Sequence, residues 1–309
     1  METETLSGNR TMSNWRNWVL TDTPQSRRQA TIGMIYRGWL QFSRNGLAMT
    51  GLIVLLALFG LAIFAPSLAT HDPNAQDLAQ RLAPPSAAHW FGTDQLGRDL
   101  YSRLLFGARI TLGMAALIVA IVAPVGLLVG SVAGYAGGWT DRILMRITDV
   151  FLAVPKLVLA LAFVAALKPG LTSVVLAIAL TAWPPYARLA RAETLVIREA
   201  DFVSAIRLTG ASATRIVLRH IMPLCISSVI VRVALDVSGI VLTAAGLGFL
   251  GMGAQAPSPE WGAMIASTRG FILQQWWVPA IPGIAIFVAS FAFNLLGDGL
   301  RDVFDPKSE

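Results

Sequence analysis

One cysteine, three histidines and charge on only 14% of 309 residues leave little material for several classes of function. The lone Cys225 excludes an internal disulfide, and three separated histidines with no partner cysteine show no metal-ligand spacing, so no bound metal is expected. No Gly-x-x-x-x-Gly-Lys-Ser/Thr loop occurs, so the chain has no usual cradle for ATP and is expected to bind no cofactor itself. No apolar region precedes residue 46, which excludes a cleavable signal peptide and leaves the first apolar run as an anchor. Against the scarcity of charge stand 55% hydrophobic residues and a mean hydropathy of +0.61, too apolar to cover a water-soluble exterior. The chain is therefore expected in a membrane. Its net charge of +6 does not point to nucleic acid, because the arginines are dispersed among apolar segments instead of gathered on one soluble face.

Crossing about 30 Å of hydrocarbon takes roughly 20 helical residues. Six runs approach that length, at about 46–66, 110–135, 150–167, 171–186, 223–247 and 278–296. The third and fourth are short and are joined through Pro169-Gly170, a tight turn between helices. Arginine placement orients the bundle. The tail 1–45 carries six arginines, the loop 187–222 carries another six, and the intervening connections hold little net positive charge. Both arginine-rich segments, and with an even number of spans both termini, are expected in the cytoplasm. Within the tail, Ile32, Ile35, Tyr36, Trp39, Leu40 and Phe42 fall near helical spacing between arginines, the pattern of an interfacial helix. Residues 67–106 are expected as an extracytoplasmic loop ending in a short amphipathic helix around Leu100, Leu104 and Leu105, residues 107–300 as the core, and 301–309 as a charged cytoplasmic end.

The 187–222 loop is the long polar insertion in an apolar chain. Asp201 is expected to cap a short helix with Phe202, Ala205 and Ile206 on one face, and Gly210 to end it in a left-handed conformation. Ser212 then caps a second helix running to Pro223. A helix with a small apolar face in a polar loop is suited to docking.

This loop resembles the signature of binding-protein-dependent ABC import permeases: a Glu-Ala-Ala triplet, a glycine four residues later and an Ile-x-Leu-Pro ending. Ser204-Ala205-Ile206, Gly210 and His220-Ile221-Met222-Pro223 stand at those places, and Ser204 replaces the triplet glutamate. Three further segments, HWFGTDQLGRDLYSRLLFGARITL at 89–112, GLGFLGMGAQAPSPEWGAMI at 246–265 and FNLLGDGLRDVFDP at 293–306, are similar to the dipeptide, oligopeptide and nickel permease family. That resemblance covers about residues 45–306. It implies an all-α integral membrane protein with the six-helix type I importer permease fold, in a bacterial inner membrane. It also implies a second homologous permease subunit, two cytoplasmic ATPase subunits that use ATP and Mg, and an extracytoplasmic substrate-binding protein. Asp201, Phe202, Ser204, Ala205, Ile206 and Gly210 are the expected ATPase-coupling residues, and Arg98 and Asp99 are candidates for seating the binding protein. Short peptides are the expected cargo, with nickel, metal chelates, glutathione and D-amino-acid dipeptides as alternatives within the family.

Inside the apolar spans, Gly126, Gly130, Gly134 and Gly138 recur every four residues and leave a groove for a close-packed helix. Arg232 and Asp236 lie about 14 and 20 Å along the helix from Pro223, near the bilayer midplane and on one face. Ionisable residues at that depth line a bundle interior or a wet cavity. The two either neutralise each other at a subunit contact or meet the two ends of a zwitterionic peptide. A proton-coupled secondary transporter is the rival class; it would need Asp236 as its proton carrier, which the neighbouring arginine opposes, and internal repeats are not evident.

Overall fold

The computed structural model describes residues 15–304 except 17, 22 and 23. The tail expectations before residue 15, and Asp305 at the charged end, lie outside that range. The described chain is helical, with no strand among the described residues. Helix α1 is Arg27–Arg44, α2 Gly46–Ile63 and α3 Leu100–Ala136. Next come α4 Gly138–Ala153, α5 Lys156–Leu167, α6 Leu171–Ala182, α7 Pro184–Ile197 and α8 Asp201–Leu208. The last three are α9 Ala213–Phe249, α10 Trp261–Thr268 and α11 Trp277–Phe304.

Five of these units, α2, α3, α6 with α7, α9 and α11, are long and apolar enough to cross a membrane. The sixth expected span is not a straight helix over 150–167. It is the pair α4 and α5, bent by 93°. Pro155 causes the break, because its ring disfavours helical backbone at Val154, which is extended at φ −103° and ψ 136°. Helices α3, α9 and α11 outrun the apolar stretches that announced them, whereas α2 ends a little short of its own. At 1.5 Å per residue α3 is about 55 Å long, well beyond about 30 Å of hydrocarbon. The amphipathic helix expected around Leu100, Leu104 and Leu105 is therefore the projecting first turns of α3, not a separate element.

Hydrogen bonds sort the connections into two ends. At one end Asn45 caps α2 by accepting from Leu47 and Ala48 N–H, and its amide donates to Asp302 of α11 at 3.0 Å, so the start of α2 meets the end of α11 there. Arg198 at the end of α7 donates to the Gly134 carbonyl of α3 at 2.8 Å at this same end. At the far end the Gly170 N–H donates to the Met252 carbonyl, and Trp261 Nε1 donates to the Leu104 carbonyl at 3.0 Å. The buried core between the ends is carried by Ile118 and Val122 of α3, Ile178 of α6, Ile240 and Val241 of α9 and Ala289 of α11.

Candidate functional site

The glycine ladder finds its partner in α7. A Cβ on Gly126 would strike the Tyr186 Cβ, one on Gly130 the Ala187 carbonyl, and one on Gly134 would lie 2.8 Å from the Thr194 Cβ. Only glycine allows the two backbones this close. Gly138 falls beyond the end of α3 and takes no part. Arginines then lash α7 to its neighbours. Arg191 binds Asp141 of α4 through both nitrogens at 2.5 and 2.6 Å, and Arg188 binds Asp149 at 2.6 Å. A bidentate guanidinium–carboxylate pair fixes orientation as well as distance.

Beyond α7 the chain makes the expected corner, with two corrections. Asp201 is not the N-cap of α8; Ala200 is, and Asp201 is the first helical residue, its carboxylate favourably placed at the positive end of the helix. The inward face is also turned relative to the expected one. Val203 is fully buried and Ile206 packs on the core, so Ile206 leaves the exposed set. Phe202 and Ala205 remain outside with Ser204, and they are joined by Leu208, which is 90% exposed. Leu208 was legible in the sequence as the residue three beyond Ala205. Gly210 has φ +79° with nothing within 4 Å of where a Cβ would stand, and the Ser212 hydroxyl accepts from the Arg215 N–H at 3.4 Å. A π turn, Val217–Ile221, precedes Pro223, whose missing N–H leaves the regular ladder one donor short.

Arg232 and Asp236 of α9 form their expected pair at 2.9 Å, with the arginine 41% and the aspartate 27% exposed. They line a cavity of about 570 Å³ together with Phe151, Pro155 and Lys156 at the α4–α5 break and Pro185 of α7. Lys156 escaped the sequence reading, because only the 93° bend turns the first residue of α5 toward Asp236. Tyr186, the third residue of α7, is buried with its hydroxyl turned toward Asp236. The cavity thus holds two cations and one anion.

Arg98 and Asp99 are not surface residues. Arg98 is 4% exposed and bonds Asp94 at 2.7 Å; Asp99 is 1% exposed and caps α3 by accepting from the Ser102 N–H at 2.8 Å. Both are spent inside the segment that closes the far end, where Arg103 also reaches the Pro73 carbonyl at 2.8 Å. The 246–265 segment is half irregular and half helix, since α10 begins at Trp261 behind its cap Glu260. The Glu260 carboxylate accepts from Gly262 and Ala263 N–H, each at 2.8 Å, and burial raises its pKa against those bonds.

Family models match the chain on both sides of this architecture. Residues 126–309 match the binding-protein-dependent transport system inner membrane component, and residues 34–85 match the N-terminal TM domain of oligopeptide transport permease C. The chain belongs to the binding-protein-dependent inner membrane component family. It is a multi-pass inner-membrane permease component. It is 48% identical over 85% of its length to a probable D,D-dipeptide transport system permease protein of Escherichia coli K12, covering 88% of that protein. It is 43% identical over 95% of its length to a glutathione transport system permease protein of Shigella boydii, covering 98% of it. In fold it is similar to a chain of the MetNI methionine ABC transporter, with a TM-score of 0.55 and 20% identity, covering 67% of this chain and 98% of that one.

Proposed function

We propose that this chain is the non-catalytic membrane subunit of an ATP-driven importer of short peptides. It works beside a second homologous permease subunit, two ATPase subunits on the side of the termini, and a substrate-binding protein at the far end. The observation that carries the peptide reading is the near full-length similarity to permeases named for D,D-dipeptide and glutathione transport, glutathione itself being a modified tripeptide.

The structure supports a mechanical route. Phe202, Ala205 and Leu208 give α8 a small exposed apolar face, and Val203 and Ile206 root it in the bundle. An ATPase that grips this face and moves displaces α7, and with it α3, because the glycine contacts and the Arg191–Asp141 pair leave no slack between them. The start of α7 is Pro184, and Pro185 borders the cavity of Lys156, Arg232 and Asp236. One rigid helix therefore joins the drive to the charged cavity. There the two cations receive a peptide carboxylate and Asp236 its ammonium group.

Proteoliposomes holding both permeases and the ATPases, supplied with the binding protein and labelled dipeptides, test the proposal. Uptake should require ATP and survive a protonophore. Uptake that continues without ATP and stops with the protonophore would establish the secondary-transporter reading instead.

A further inference from the structure

The far-end segment brings together groups that the transport mechanism does not use. His71, just beyond the first span, His89 and Asp99, the cap of α3, each offer one ligand atom, and the three atoms lie within 4.8 Å of one another. His89 Nδ1 is 2.9 Å from Asp99 Oδ1, and His71 Nδ1 is 3.9 Å from the same oxygen. The two rings lie 4.6 Å apart, tilted by 32°.

The Asp99 carboxylate is divided between two tasks. Its Oδ2 accepts from the Ser102 N–H at 2.8 Å, which completes the helix cap and leaves Oδ1 facing the imidazoles. It is also an anion 1% exposed whose sequence neighbour Arg98 is committed to Asp94. A buried carboxylate needs a cation nearby. Two neutral imidazoles and a carboxylate converging on one point are the donor set for a divalent first-row metal.

We propose that His71, His89 and Asp99 bind a divalent transition-metal ion of the Zn2+ type, with the fourth position open toward solvent. Ligand bonds of 2.0–2.2 Å in a tetrahedron separate donor atoms by about 3.3 Å. The observed 2.9 and 3.9 Å fall on either side of that spacing, so the two imidazoles lie within side-chain adjustment of the Asp99 oxygen. His71 is held in place by its backbone N–H donating to the Ser102 hydroxyl at 3.1 Å, and the Thr70 hydroxyl, 3.0 Å from the same Nδ1, must turn aside for that nitrogen to ligate. The ion clamps the exit of α2 to the start of α3 and so stiffens the end that the binding protein must meet. This site is separate from the charged cavity and does not depend on the cargo.

The composition makes the test clean, because His220 is the one remaining histidine and Cys225 the one cysteine, itself buried. The full-length chain, purified in detergent with a histidine-free tag, is titrated with ZnCl2 against a chromophoric chelator. One equivalent should bind. His71→Ala, a change at an exposed ring, should weaken it at least 100-fold and abolish the zinc-dependent rise in unfolding temperature, while His220→Ala leaves both unchanged. X-ray absorption of the zinc-loaded protein should show two imidazole nitrogens. Absence of stoichiometric binding, binding undiminished by His71→Ala, or a shell without imidazole would each overturn the assignment.

Discussion

Asp236 stands between Arg232 at 2.9 Å and the nearby Lys156, one anion against two cations at the edge of a cavity. Such an excess of positive charge favours a ligand that brings its own carboxylate, and the single acid then sets how the amino end is received. Asp236→Asn keeps the shape and removes that charge. Across a panel of labelled di- and tripeptides, it should lower uptake of the best substrate by about tenfold, or about 1.4 kcal/mol, and reorder the preferences while membrane abundance stays within about twofold. An equal loss for every peptide, in step with abundance, would mean that the pair only holds α9 in place. The aspartate and arginine were legible from their four-residue spacing in an apolar run. Lys156 was not, because hydropathy places it inside a span and only the backbone break at Pro155 brings it round to the pair. Histidines 71 and 89 were invisible as a pair for a similar reason: the 17 residues between them, mostly irregular, must fold back before their rings meet.

Among the elements, α7 carries the argument, since it touches the coupling corner at one end and the charged cavity at the other. Its contact with α3 rests on glycines that admit no side chain. Gly130→Ala places a methyl group against the Ala187 carbonyl and should cost about 1–3 kcal/mol by overpacking, seen as a lower unfolding temperature in detergent. Gly113→Ala on the same helix, where nothing lies within 4 Å, is the control and should be neutral or stabilising. A result in which both behave alike would remove the glycine contact as a mechanical link. The four-residue ladder announced a groove, and the structure supplies the occupant that spacing alone leaves unnamed. The corner after α7 was likewise legible from Ser212 and Gly210, whereas the docking face expected at Phe202, Ala205 and Ile206 differs from the exposed one, where Leu208 stands and Ile206 packs on the core. Helical spacing groups Phe202, Ala205 and Ile206 equally well with either side; only the neighbouring core decides that Val203 and Ile206 turn inward.

For the whole molecule, apolar runs gave the order of the spans, five as long helical units and the remaining one as a bent pair, but in α3, α9 and α11 they marked only part of the helix. Helices α3 and α9, each 37 residues, extend past those runs, α9 by passing through the π turn Val217–Ile221 ahead of Pro223. The extensions hold the two ends together: the buried Arg98–Asp94 pair and the cap of α3 at the far end, α8 and its corner at the other. Arg98 and Asp99, the candidates for seating the binding protein, are buried in this chain and bonded to its own groups. What remains exposed for a drive to grip is Leu208 with Phe202 and Ala205. Because Cys225 is buried, a cysteine introduced at Leu208 would be the reactive thiol of this chain in the assembled complex. The account predicts that Leu208→Cys, treated with a short thiol-to-amine cross-linker in the purified complex, joins the permease to an ATPase subunit in a yield that changes with ATP. Cross-linking to no ATPase, with Leu208→Cys labelled freely from the side of the membrane where the binding protein acts, would contradict it.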